Sequence, residues 1–334
     1  MVLSALLLPL LLLLACDNPV YNGPLDLTEH QSVWQYLKVY SYYQDRVPES
    51  PLDYPAPESL LNAVGDQYTH YKPLRSPWLP KRVSSMALDT LNWEALSDST
   101  VVIRIQNFRS DTKIRFERIL PSIGPYPNIV VDLRNNRGGD LNPTEAIIED
   151  LLPANIPFMI IEERKYNKEK MVGETVIDTL RSTRGAHRAL ANKRFSVLMN
   201  GMSASASELL IAALKEGTGA KLVGETTYGK ARGQVIIPRG DRDSLQITYS
   251  AFRGISPRIG DYNSIGIVPD TIPEAIKTLG EAIYSEDSRN LFYAARILDS
   301  SIGPQQFMGR GTFKRAYSTN PAVMYKITPP DPLK

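Results

Sequence analysis

Three serines alternate with alanines in Ser203-Ala204-Ser205-Ala206-Ser207, followed at once by Glu208 and a run of small and apolar residues. The apolar stretch Phe195–Met199 reads as a strand and the residues after Ser205 as a helix, so the serines stand at a strand-to-helix junction. Helix starts carry unpaired N–H groups and the positive end of the helix dipole, which lowers the cost of negative charge on a nearby oxygen. That environment suits a serine nucleophile. It equally suits a serine that merely caps the helix, since Ser is a preferred N-cap. The second chemical candidate is Lys230, between Gly229 and the apolar run Val235-Ile236-Ile237. An amine with a reference pKa of about 10.4 cannot take a proton at neutral pH unless burial lowers that value. The apolar run is compatible with such a dry site. The third is Gly138-Gly139, where missing β-carbons let backbone approach a ligand, or where the chain simply turns from strand to helix.

The elements that must position these residues follow from hydrophobic spacing. Val33, Tyr36, Leu37 and Tyr40 share one face of a helix, and a second short helix has Pro57 in its first turn with Leu60, Leu61 and Val64 turned inward. From Val101 the chain alternates strand and helix: strands at 101–105, 129–131, 158–161, 195–199, 221–224, 235–237 and 245–249, with helices near 111–120, 144–152 and 205–215. This texture implies an α/β domain with mostly parallel strands, whose functional loops gather at the carboxyl ends of the strands. Arg164, Lys165, Lys168 and Lys170 read as a solvated basic face, and Asp132 and Arg134 as structural support for the glycine turn.

The bulk properties narrow the class. The 334 residues are 43% hydrophobic and 22% charged with a net charge of +2, which suits a globular protein and excludes a nucleic-acid footprint. The three histidines, His30, His70 and His187, have no metal-ligand spacing, so neither a metal nor a cofactor is expected. Cys16 is the single cysteine, which excludes an intrachain disulfide. Residues 3–15 form an apolar run too short to span a bilayer and read as an export signal. Leu13-Leu14-Ala15-Cys16 resembles the lipobox of bacterial lipoproteins, in which the signal is cut before the cysteine and the thiol is lipidated, although no Lys or Arg precedes the apolar run. An anchored protein of the bacterial cell envelope, facing the periplasm or the exterior, is therefore expected.

Four blocks, in order, resemble the tail-specific or C-terminal processing serine peptidases of the S41 family. They are Val101 to Phe108, Val131-Asp132-Leu133-Arg134-Asn135-Asn136-Arg137-Gly138-Gly139, Ser203 to Glu208 with Leu222 to Lys230, and Gly266-Ile267-Val268-Pro269-Asp270. The likeness covers roughly residues 30–280, and the third block is the most specific. The resemblance implies a ClpP/crotonase-like α/β core with a small N-terminal helical subdomain. It implies Ser205 as nucleophile, Lys230 as general base, and Gln234 as the third member ahead of Glu208, an acidic position that some members use. Ala206 and the Gly138-Gly139 turn are the candidates for the oxyanion hole. Ala231 stands where the family usually has glycine. The implied division is a signal over 1–15, a tether over 16–28, a helical subdomain over 29–72, a linker over 73–100, a catalytic domain over 101–285, and a C-terminal helix and tail over 286–334. The linker is too short for the PDZ domain usual in the family. The expected activity is a lipid-anchored serine endopeptidase acting on peptides or proteins. The competing readings are a non-catalytic lipoprotein that binds peptides or other ligands on the same fold, and a serine hydrolase of non-peptide esters or amides.

Overall fold

The structure, a computed structural model, describes residues 29–54, 56–73, 90–239, 243–271 and 286–303. The signal, Cys16 and the tether lie outside the described residues, as does the tail beyond 303. Two five-stranded sheets carry the fold. One contains β2 (Leu91–Ala95), β3 (Thr100–Ile105), β4 (Asn128–Asp132), β7 (Arg194–Met199) and β8 (Lys221–Gly224), in that spatial order. Its last four strands are parallel, and β2 is an antiparallel edge.

The apolar runs of these strands are explained by burial on both faces. Val101, Ile103, Ile105, Ile129, Val131, Val197 and Met199 face the helices α3 (Thr112–Ile123), α4 (Leu141–Leu151) and α5 (Ala206–Thr218), with which they share one core. The alternate residues Val102, Val130, Leu198 and Val223 pack on Leu291, Ala294, Ala295 and Leu298 of α6 (Glu286–Leu298). The period of two along each strand thus sorts side chains onto two helical layers.

The second sheet is antiparallel throughout, which corrects the expectation of mostly parallel strands. It runs β1 (His70–Pro73), β10 (Asp243–Arg253), β5 (Pro157–Asn167), β6 (Val172–Arg181), with β9 (Arg232–Arg239) also paired to β10. Part of the segment expected as linker, Leu91–Ala95, is strand β2. The basic stretch that begins at the end of β5 is not a uniformly solvated face. It enters the β5–β6 hairpin, and the buried Arg164 guanidinium donates to Thr175 Oγ1 and the Gly173 carbonyl.

The N-terminal helices α1 (Glu29–Tyr40) and α2 (Pro57–Val64) close the back of this second sheet. Val33, Leu37, Tyr40, Leu60, Leu61 and Val64 bury against Val235, Ile237, Leu245 and Ile247. Pro57 opens α2 at its first position, where its missing N–H has no intrahelical partner to lose, and Gly65 ends it at φ +62°. The α/β class expected from the sequence is the class observed.

Candidate active site

Loops from the carboxyl ends of three adjacent parallel strands meet at one place. They are Leu133–Asp140 after β4, Asn200–Ser205 after β7, and Glu225–Ala231 after β8. The first is built on buried charge. Asp132, fully buried, takes Arg134 at 2.8 Å and Arg104 at 2.6 Å. Burial pushes its carboxyl up, but the two guanidiniums overcome this and hold it down at about 2. The chain then turns at Asn135 (φ +63°). Asn136, also buried, donates through Nδ2 to the Ile105 carbonyl and accepts the Gly138 N–H on Oδ1.

The same Asn136 fixes the serine loop. Its carbonyl accepts from the Ala204 N–H at 3.0 Å and from Ser207 Oγ at 2.8 Å. Ser203 Oγ donates to the Leu133 carbonyl at 2.9 Å and accepts from the Asn200 N–H. The outer two serines are therefore fully buried and tied to backbone carbonyls. Ser205 differs on every count. It is half-buried, its hydroxyl has no partner among the described residues, and its backbone sits at φ +58°, ψ −119° at the cap of α5. A non-glycine residue in such a conformation stores on the order of 1–3 kcal/mol, and strain of that kind gathers at functional sites.

Glu208, one turn into α5, joins the serine and lysine loops. Its Oε2 accepts the backbone N–H of Ser205 and of Lys230, each at 2.8 Å. Its Oε1 accepts Thr227 Oγ1 at 2.5 Å and the Gly229 N–H at 2.7 Å. Burial raises the Glu208 carboxyl above its ordinary value, and these four donors work against that rise. Thr227 Oγ1 in turn accepts the Ile267 N–H at 2.7 Å, which draws the Gly266–Asp270 block into the support. Asp270 finishes it by accepting the Leu222 N–H at the start of β8 and pairing with Lys215 and Arg258. Glu208 is thus a backbone clamp, with no hydrogen bond to the Lys230 amine.

The amine of Lys230 lies over the ring of Tyr68, 4.8 Å from its centroid. Burial lowers its pKa below the ordinary value, while the carboxylates of Asp66 and Glu208 pull it back up. The apolar run expected to dry this site does not do so as a unit. Val235 and Ile237 turn into the core against α1 and α2, and Ile236 is 42% exposed. Gln234, the expected orienting amide, donates through Nε2 to the carbonyl of Arg232 on its own strand at 3.0 Å. Tyr68 and Asp66 escaped the sequence reading, because they precede all four motif blocks and no local pattern marks them. Asn136 was in plain view inside the second block, but the part of its backbone carbonyl depends on a serine loop about 70 residues later, and that of its side chain on Ile105 in another strand.

Around the Ser205 side chain the backbone is open to a ligand. The Ala206 N–H, first in α5, has no acceptor among the described residues, as expected of a helix start. Gly138 lies directly against it: a β-carbon there would sit 2.8 Å from Ser205 Cβ and 2.9 Å from Ala206 N. Gly138 also has φ +94°. Its own N–H is taken by Asn136, which corrects its expected part as an oxyanion donor. The Gly138 contribution is the absence of a side chain. Gly139, exposed, keeps an N–H with no acceptor among the described residues. Among the described residues no group of three or more His, Cys, Asp or Glu could hold a metal ion.

Comparison with known proteins agrees with the four motif blocks. The chain is 29% identical over 172 residues to the carboxy-terminal processing protease CtpB of Bacillus subtilis, an overlap of 50% of this chain and 32% of that protein. It is 27% identical over 216 residues to a carboxy-terminal-processing protease of Bartonella bacilliformis, covering 61% of this chain and 47% of the relative. The chain therefore spans half or less of the length of these curated relatives. Among solved structures, a lipoprotein from Streptococcus agalactiae aligns with a TM-score of 0.48 at 16% identity, over 75% of this chain and 94% of the other. The family model for peptidase family S41 matches residues 99–272, which contain β3, every loop of the site and the Gly266–Asp270 block, and the chain belongs to that family.

Proposed function

We propose that this chain is a serine endopeptidase of the bacterial cell envelope, held at a membrane by a lipid on Cys16, that cleaves peptide bonds with Ser205 as nucleophile and Lys230 as base. The observation that carries the reading is the shared clamp: one carboxylate oxygen binds the backbone of both residues, while the Ser205 hydroxyl is left unengaged among the described residues.

The chemistry follows from what each group can still do. Neutral Lys230 takes the Ser205 proton as Oγ bonds to the carbonyl carbon of the substrate. The carbonyl π electrons move to oxygen, where the Ala206 N–H is available as a donor and the Gly139 N–H is the second candidate. A preorganised donor of this kind is worth about 3 kcal/mol of barrier. Collapse of the tetrahedral intermediate breaks the C–N bond, and the Lys230 ammonium returns its proton to the leaving amine. Water then attacks the acyl-enzyme with Lys230 again as base, releasing the acid and restoring Ser205. Glu208 transfers no proton in this scheme, since both its oxygens already accept from donors. The Gln234 amide, engaged by Arg232, is likewise left out of the transfer.

An activated serine does not by itself select an amide, so the test compares substrates. The full chain and its Ser205→Ala variant are incubated with unstructured peptides and with simple esters, and products are read by mass. Peptide cleavage that vanishes in Ser205→Ala supports the reading. Ester turnover without peptide cleavage makes the protein a different hydrolase, and no Ser205-dependent turnover of either makes it a binding protein. For the anchor, Cys16→Ser should move the protein out of the membrane fraction with its peptide cleavage intact.

A further inference from the structure

The Tyr68 ring belongs to a part of the chain that precedes the family-matched residues 99–272, yet it touches the proposed base. Its position is built with care. Asp66, just after α2, accepts the Tyr68 N–H on Oδ1 and Thr69 Oγ1 on Oδ2, and its carbonyl accepts the Thr69 N–H. This compact turn is docked on β10: Gln246 Nε2 donates to the Tyr68 carbonyl at 3.1 Å, and the Thr248 N–H to Thr69 Oγ1 at 3.1 Å. β1 continues the attachment by pairing His70 with Gln246. Thr248 is itself the register partner of Gln234 on β9, the strand that follows Lys230. The turn and the lysine loop are therefore fixed to the same pair of strands.

We infer that Tyr68 is a positioning residue for Lys230: its ring face holds the amine in place within the site, so that the N-terminal unit completes the active site of the catalytic core. A cation within about 6 Å of an aromatic centroid is attracted to the ring face, by roughly 0.5–2 kcal/mol depending on desolvation. The ring favours the charged amine, and so do the carboxylates of Asp66 on the same turn and Glu208 on α5. Burial favours the neutral one. The other titratable groups around the ring are Tyr43, from the loop after α1, and Tyr228, on the lysine's own loop, with Arg232 bonded to Tyr43 Oη. Burial and these neighbours push the Tyr68 hydroxyl up to about 12, so the ring stays neutral over any working pH. The ring thus acts as a constant, uncharged platform.

The inference rests on Lys230 being the base, and the experiment separates the two. kcat/KM is measured against pH on one peptide for wild type, Tyr68→Phe, Tyr68→Leu and Lys230→Ala, with thermal melts alongside. Tyr68→Phe keeps the ring face and should keep the wild-type midpoint. Tyr68→Leu keeps apolar cover but loses the ring quadrupole, so its midpoint should fall by roughly half a unit or more, with a several-fold lower plateau in kcat and an unchanged KM. If Tyr68→Leu melts below the assay temperature, Tyr68→Met is read by the same criteria. A Leu or Met variant with the wild-type midpoint, or one shifted upward, overturns the positioning role. Full activity in Lys230→Ala overturns the reading of the base beneath it.

Discussion

Ser205 and Lys230, 25 positions apart in the chain, donate their backbone N–H groups to the same oxygen of the buried Glu208 carboxylate, each at 2.8 Å. The two amide nitrogens are thereby held within two hydrogen-bond lengths of each other. A side chain that the sequence offered as an orienting partner for the amine acts instead on the backbone that carries it. The distinction matters for what substitution should do.

Glu208→Gln keeps the shape of the clamp but changes its chemistry. An amide offers one acceptor oxygen and turns N–H donors toward groups that are themselves donors. Each buried N–H left without an acceptor costs about 1–3 kcal/mol, and here the cost falls on the two loops that carry the proposed nucleophile and base. kcat should fall on the order of a hundred-fold with little change in KM, and the melting temperature should drop. Steady-state kinetics and a thermal melt check both. An active, equally stable Glu208→Gln enzyme would show that the clamp does not set the site.

Gly138→Ala should abolish turnover. The new β-carbon would lie 2.6 Å from the Ala204 carbonyl oxygen, 2.8 Å from Ser205 Cβ and 2.9 Å from Ala206 N, at a backbone φ of +94°. It fills the space a substrate oxygen needs beside the Ala206 donor. Gly219→Ala is the matched control: it too has positive φ, but nothing lies within 4 Å of the added carbon. That variant should lose about 1 kcal/mol of stability and keep wild-type kcat/KM.

The pH dependence follows from the Lys230 amine. Burial lowers its folded-state pKa, and only the neutral amine accepts a proton, so kcat/KM should rise with pH through a midpoint below the ordinary 10.5. The same shift acts on stability. Between the folded and unfolded values the unfolded chain binds more protons, so folding stability attributable to this group rises with pH across that window. Lys230→Met removes the titration. Its melting temperature should exceed that of wild type at neutral pH by a margin that shrinks as pH rises, and a margin independent of pH would contradict the shift.

How much of this was legible in the sequence depends on the range of the interaction. Strands β3, β4, β7 and β8 announce themselves because burial on both faces demands unbroken apolar runs, and α2 because Pro57 and its inward Leu60, Leu61 and Val64 carry the helical period. β1, β2 and β6 were missed. Val172–Arg181 has a largely exposed, polar pattern with little to distinguish it from loop. The serine-rich junction was visible, but the choice among Ser203, Ser205 and Ser207 came from family resemblance, not spacing. The structure separates them by hydrogen bonds to Leu133 and Asn136, contacts roughly 70 residues away along the chain. Tyr68 was illegible for the same reason, since its place over Lys230 is set by its docking on Gln246 of β10, 178 positions further along the chain.

The central claim is that Ser205 and Lys230 act as one unit, and the most direct test is cleavage of a single peptide by wild type, Ser205→Ala, Lys230→Ala and the double variant at one pH. Members of such a unit are grossly non-additive when removed. Each single variant should lose at least roughly a thousand-fold in kcat/KM, and the double variant should be no worse than either. Ser203→Ala, with its buried hydroxyl bonded to the Leu133 carbonyl, should remain within roughly ten-fold of wild type. A Lys230→Ala enzyme that cleaves the peptide at the wild-type rate, or losses that multiply in the double variant, would contradict the account.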